Sequence, residues 1–404
     1  MSLLKEGSLY VLGELINKAM PFLLIPFLTK SLGAQGYGEL AFYQVIVAVV
    51  SLFIGMSQDG AISRCYYHYG RRVVYYISIT GISFSLIICS MLCFSFYFFN
   101  FKAEYLLCIL LATLSCLMGA QLSLKQCQRR VKIYFLAQAI NAVLTTLLVV
   151  LFFTYKCASV TYFLFSSSIG TFVALFFLLA NDYKKILSIR INNNYFKHSF
   201  FYLFGYGLPL ILHQIGLLSK GQVDRLLIYA KFSPESLGVY AVGSQIATMY
   251  LVFLMILNKT LLPYYYSALK DGRMNRNKVL YYCRLSFLSI FIPAVFFMCI
   301  PSSIYDFLLG VQFHGVKYFI VLFAICFGLN APYLILVNYF FYHGRNKVIG
   351  VISISSALIY VILVYLFSEV DIKYIPLSLF VSNLYMIIVL YYSLIKNEEK
   401  NVNT

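Results

Sequence analysis

His213, Leu217, Lys220 and Asp224 stand four, three and four residues apart in the apolar stretch GYGLPLILHQIGLLSKGQVDRLLIYAKF, which begins at Gly205. That spacing places them on one face of a helix, and Arg225 adjoins Asp224. Near the N-terminus, Glu14 and Lys18 stand four residues apart in another apolar stretch. The chemistry open to these groups is electrostatic. Lysine offers an anion a point charge, and arginine offers a fork that matches phosphate. Carboxylates and an imidazole can hold and release protons. No nucleophile–base pair, metal-spaced Cys/His cluster or phosphate-cradling glycine loop accompanies them. The pattern is therefore not that of an enzyme, and neither metal nor cofactor is expected.

The elements that must position these groups are membrane helices. The 404-residue chain is 61% hydrophobic and 11% charged, against about a quarter charged in a soluble domain. Apolar runs of about 20 residues, the length that crosses a bilayer core, recur along the whole chain. The expected fold is an all-α integral membrane bundle of twelve spans, at roughly 8–28, 39–58, 73–99, 105–124, 134–154, 160–180, 200–223, 237–262, 280–300, 316–342, 348–367 and 373–395. Ten cysteines lie singly inside apolar runs and read as small packing residues. No small-residue cleavage site follows the first apolar run, so no cleaved signal peptide is expected. At about 1.5 Å per residue, Glu14 and Lys18 fall roughly 9 and 15 Å into the first span, and His213 and Lys220 roughly 20 and 30 Å into the seventh.

The net charge of +17 has a simple origin. Loops on one side of the twelve spans hold 21 Lys and Arg, and those on the other side hold six. The positive-inside rule makes the former side cytoplasmic, with both termini there. The basicity therefore does not point to nucleic acid. Lys18, Lys220, Arg225 and Lys259 remain, within or at the edges of spans. Each charged group has a structural alternative: an interhelical ion pair for Glu14–Lys18, snorkelling to headgroups for Lys220, a lock for Asp224–Arg225, a packing hydrogen bond for His213 and interfacial anchoring for Lys259 and Arg284.

The six-span pattern restarts near residue 195. KSLGAQGYGELA from Lys30 and KFSPESLGVYA from Lys231 align their glycines and alanines at an offset of 200. The expected halves are residues 1–190 and 191–404, related by a pseudo-two-fold axis along the membrane normal.

Several stretches carry a family resemblance. Asp224-Arg225-Leu-Leu-Ile, a Pro-containing turn and Leu237-Gly238-Val-Tyr240-Ala resemble the segment seven to eight signature of the polysaccharide transporter family, within the multidrug/oligosaccharidyl-lipid/polysaccharide flippase superfamily. Leu32-Gly33 with Tyr37-Gly38, Gln126-Cys-Gln-Arg129-Arg130, Pro263 with its tyrosines, Ile304-Tyr-Asp-Phe-Leu-Leu-Gly310 and Gly344-Arg345-Asn-Lys347 are similar to further family stretches in the same order. The first half has no Asp-Arg pair. The chain is most similar to O-antigen flippases. That resemblance implies translocation of undecaprenyl-pyrophosphate-linked oligosaccharide units across the bacterial inner membrane by alternating access. Candidate partners are the lipid-linked unit, the bilayer, a polysaccharide polymerase and a chain-length regulator. The expected substrate cleft is lined by Glu14, Lys18, His213, Lys220, Asp224 and Arg225. Glu14, Asp59, His213 and Asp224 are candidates for proton coupling, and Arg129 and Arg130 for drawing in an anionic headgroup. The alternative is a cation-coupled exporter of small molecules from the same superfamily.

Overall fold

The computed structural model describes residues 3–183 and 193–402, which form helices and connecting turns, with no strand among the described residues. Ten helical stretches are long and apolar enough to cross a membrane. One of them, Leu15–His68, holds the first two expected spans. It comprises α1 (Leu3–Gly55), which kinks at Gly33, and α2 (Gln58–His68). The next four spans are α3 (Arg71–Phe98), α4 (Ala103–Cys127), α5 (Val131–Tyr155) and α6 (Val160–Ala180). The expected seventh span is α7 (Asn193–Ser219), followed by the short α8 (Val223–Lys231) and the eighth span α9 (Pro234–Lys270). Helices α10 (Arg276–Ser286) and α11 (Phe291–Cys299) make the ninth, and α12 (Ser302–Leu309) caps it. Helices α13 (Val316–Gly328) and α14 (Asn330–Tyr342) make the tenth, with α15 (Asn346–Ser368) and α16 (Ile375–Val402) completing the twelve.

Contacts group the chain into two compact units. The expected boundary at 190/191 lies outside the described residues. The first unit comprises Met1–Leu32 and Glu39–Ile215. Helix α7 joins it through aromatic packing, with Phe84 of α3 against Phe200 and Phe204 at ring separations of 6.4 and 5.4 Å. Several polar side chains inside these spans bond to one another or to the backbone, as helices surrounded by apolar solvent favour. Gln58 Nε2 donates to Gly81 O and Ser85 Oγ, Ser85 Oγ donates to Ile54 O, and Gln121 Nε2 donates to Ser78 Oγ.

The second unit comprises Gly33–Gly38 and Gly216–Thr404. The six-residue piece of α1 belongs to it because two helices meet there backbone to backbone. A Cβ added to Gly38 would lie 1.7 Å from Pro234 O, and one added to Gly238 would lie 2.0 Å from Ala34 O. Ala34 and Gly38 thus face Pro234 and Gly238, the residues that the offset of 200 pairs in sequence. The repeat is a physical contact, of the small-xxx-small kind that lets apolar helices approach closely. Gln312 Oε1 accepts from Ala34 N–H at 3.1 Å, and Tyr37 packs edge-on against Phe313. We expect Gly238→Ala to destabilise the protein by about 2 kcal/mol, the scale of overpacking a tight contact. Thermal unfolding of the purified variant would read this, and a melting point equal to the parent's would refute the contact.

Candidate functional site

The seventh span is not one continuous helix. It stops at Ser219, turns through Lys220, Gly221 and Gln222, and resumes at Val223. Gly221 has φ of 91°, a conformation that a side chain would oppose. The expected helical face running from His213 through Lys220 to Asp224 is therefore interrupted. The break sends Lys220 and Asp224 to different partners.

Lys220 turns into the second unit. Its Nζ donates to Ser356 Oγ at 2.6 Å and to Asn383 Oδ1 at 3.3 Å, and lies 3.3 Å from Met386 Sδ. Ser356 Oγ in turn donates to Ser382 O at 2.7 Å. These partners come from α15 and α16 and all are neutral. Among the described residues no carboxylate lies within ion-pair distance of Lys220. The ammonium is thus positioned inside the protein rather than extended toward headgroups. A lysine at the bilayer centre costs about 2.5–3.5 kcal/mol, and neutral acceptors offset only part of such a penalty.

Asp224 is 2% exposed. Tyr240 of α9 donates its hydroxyl to Asp224 Oδ2 at 2.5 Å. Tyr360 of α15, itself buried, accepts from Gly221 N–H at 3.2 Å and so binds the broken turn. Arg225 points elsewhere and donates to Ser244 Oγ at 3.2 Å. Asp224 and Arg225, adjacent in sequence, therefore each tie α8 to α9 by a separate bond. Ser233 caps α9, accepting from Ser236 N–H, with Pro234 at the first helical position.

The other expected site residues lie in the first unit. Lys18 is exposed, and its neighbour Asn17 accepts from Asn141 Nδ2 at 3.4 Å. The side chains of Glu14 and His213 lie outside the described residues. Asp59 is exposed in the first turn of α2, just after Met56 and Ser57, whose φ values of 41° and 52° break the helix. Arg129 is exposed at the end of α4 with φ of 55°. Arg130, expected beside it as a headgroup contact, donates instead to Asp182 Oδ1 at 3.0 Å, while Lys125 Nζ reaches Asp182 Oδ2 at 2.5 Å. The side chains of Lys125 and Asp182 are 0% and 1% exposed. Sequence reasoning counted Lys125 as a loop charge and passed over Asp182. The available signal was that Asp182 is the lone acid in the basic stretch 181–199. It also passed over Ser356, Asn383 and Tyr360, which no local pattern connects to Lys220 and Asp224. Among the described residues no group of three or more His, Cys, Asp and Glu could hold a metal.

This helical architecture is that of transporters of the multidrug/oligosaccharidyl-lipid/polysaccharide superfamily. The inward-facing conformation of a multidrug resistance MATE family transporter of that superfamily superposes with a TM-score of 0.71 at 14% identity, over 98% of this chain and 99% of that one. A superfamily transporter from Pyrococcus furiosus, described as having a binding pocket of reversed polarity that suggests a different function, superposes with a TM-score of 0.61 at 15% identity, over 96% and 93%. Residues 3–269 match the model of the polysaccharide biosynthesis protein family, and the chain belongs to that family. Among its relatives is the Lsg locus putative protein 1 of Haemophilus influenzae (strain ATCC 51907 / DSM 11121 / KW20 / Rd), 36% identical over 394 residues, covering 97% of this chain and 98% of that protein. An uncharacterized membrane protein of the same strain is 36% identical over 411 residues, covering 99% of each. Family and fold together make this a multi-pass membrane transporter.

Proposed function

We propose that the protein moves polyprenyl-pyrophosphate-linked oligosaccharide units, of the O-antigen or a similar polysaccharide, from the cytoplasmic to the periplasmic leaflet of a bacterial inner membrane. Its binding groups would be exposed alternately to the two sides, and both termini would be cytoplasmic. The observation that carries this reading is Lys220. It is a half-buried cation in an apolar span, held by a hydroxyl, an amide oxygen and a thioether, and a mobile anion would complete it. Pyrophosphate supplies that anion and cannot cross hydrocarbon alone. Lysine suits it as a compact point charge. Lys18, exposed on α1, is a further cation available to an anionic substrate. Arg129 is the basic side chain left to attract it from the cytoplasm, since Arg130 is shared with Asp182. Asp224 and Arg225, bonded to Tyr240 and Ser244, serve mainly to hold α8 in place. A proton gradient would act through Asp59, Asp224, Glu14 or His213.

Reconstitution in liposomes tests this. Polyprenyl-pyrophosphate oligosaccharide radiolabelled on one leaflet should reach the other in a protein-dependent way. Comparing rates with and without a pH gradient would reveal coupling. No movement by intact protein would favour the cation-coupled exporter of small molecules, and drug uptake by the same vesicles would then be expected.

A further inference from the structure

The first unit contains a polar seam that the cationic site leaves unused. One face of α5 carries Tyr134, Gln138, Asn141 and Thr145, spaced four, three and four residues apart. At its centre, midway along the span, Asn141 joins three helices. Its Nδ2 donates to Asn17 Oδ1 of α1 at 3.4 Å, and its Oδ1 accepts from Thr171 Oγ1 of α6 at 3.2 Å. Asn17 and Asn141 are partly accessible, whereas Thr171 and Gln138 are buried at 5% and 7% exposure.

Polar residues between membrane helices often serve only as adhesive. Gln58 and Gln121 act in that way, donating to Gly81, Ser85 and Ser78. Gln138 forms no such bond: its Oε1 is buried and accepts no hydrogen bond, a state it shares with Gln128 Oε1, which at least belongs to a side chain bonded through Nε2 to Tyr75. A buried acceptor without a donor is unfavourable, and its presence inside an apolar span points to a donor that comes and goes. The bonded groups of the seam are amides and a hydroxyl, so the chemistry it complements is neutral. Amides donate and accept at once, which matches adjacent hydroxyls on a ring.

We infer that Asn17, Gln138 and Asn141 form a subsite for the sugar hydroxyls of the transported unit. This rests on the flippase reading above and deepens it by giving the saccharide its own partners, within the first unit. The Gln138 oxygen is the acceptor that a hydroxyl, or a water it carries, fills.

The test is binding of two probes to full-length protein in nanodiscs: undecaprenyl pyrophosphate bare, and the same lipid bearing the host's own oligosaccharide. Wild type should bind the glycosylated lipid more tightly. Gln138→Met keeps the side chain's length and removes its amide. It should weaken the glycosylated lipid about 5- to 10-fold, the scale of one neutral hydrogen bond, with bare-lipid affinity unchanged. Asn141→Leu should do the same, and Lys220→Met should weaken both probes alike. Equal affinity of wild type for the two lipids, or Gln138→Met changing both or neither, would overturn the subsite and leave phosphate recognition standing. Failure of wild type to bind either lipid would remove the flippase reading itself, and the subsite with it.

Discussion

Lys220→Met should nearly silence transport while making the protein more stable. The two effects have one cause. In the parent, a cation half-buried in an apolar span is held by Ser356, Asn383 and Met386, with no carboxylate in ion-pair distance among the described residues. Replacing a buried ion pair by apolar residues of similar volume is often neutral or stabilising by about 1–4 kcal/mol, and a lone buried cation carries its desolvation penalty without a paired charge to offset it. Here the gain should be about 1 kcal/mol, because Asn383 loses a donor, while Ser356 keeps its bond to Ser382. Transport should fall because the charge is what the headgroup needs. A hydrogen bond to a charged group contributes about 1.5–3 kcal/mol, equivalent to about 10- to 150-fold in rate or affinity. Lys220→Arg should restore only part of the activity, since the broader planar guanidinium must fit where Ser356 Oγ lies 2.6 Å from the ammonium. Vesicle transport and thermal melting of the same preparations read both quantities. A variant that transports at the parent's rate would remove Lys220 from the mechanism. One that loses transport and stability together would make Lys220 a structural residue.

The spans were legible because bilayer thickness acts on the chain through composition, and composition is local. Each of the twelve expected spans has its helix. The break in the seventh was not legible, because Gly221 lies among polar residues, Ser219-Lys-Gly-Gln222, that equally suit the end of an unbroken membrane helix. Its consequence, that Lys220 and Asp224 part company, depends on Tyr360 and Ser356, more than 130 residues further on. The offset of 200 was visible as a repeat, but its meaning as a contact was not. Only the third dimension brings Ala34 and Gly38 against Pro234 and Gly238, and that approach gives residues 33–38 to the second unit. Charge also guided the reading too strongly. In an apolar chain, charged side chains stand out and neutral amides do not, although a buried amide without a partner is the more specific sign of a missing ligand. Gln138 and Asn141 stand at positions i and i+3 of one span, a pattern that neutral side chains do not mark out in an apolar chain.

The same weighting hid Asp182, whose removal should be the most damaging single change to the fold. Asp182 lies just beyond α6 and pairs with Lys125 in the last turn of α4 and with Arg130 of the α4–α5 connection. One cation is fully buried and the other is 31% exposed. Asp182→Asn keeps the shape and removes the charge that both cations share. Arg130 can turn to water, but Lys125, at the base of the cluster, cannot do so without opening it. Breaking a buried ion pair from one side costs about 3–5 kcal/mol, and about 3 kcal/mol is expected here because Arg130 relaxes. The double variant Lys125→Met/Asp182→Leu should regain most of that loss, since it removes the buried charge together with its partner. Unfolding of the two variants beside the parent separates the possibilities. A single variant as stable as the parent would mean that the carboxylate carries no net charge interaction. A double variant no better than the single would mean that the loss lay in packing. Recovery in the double variant would establish that Asp182 is what allows Lys125, in the last turn of α4, to be buried inside an apolar protein.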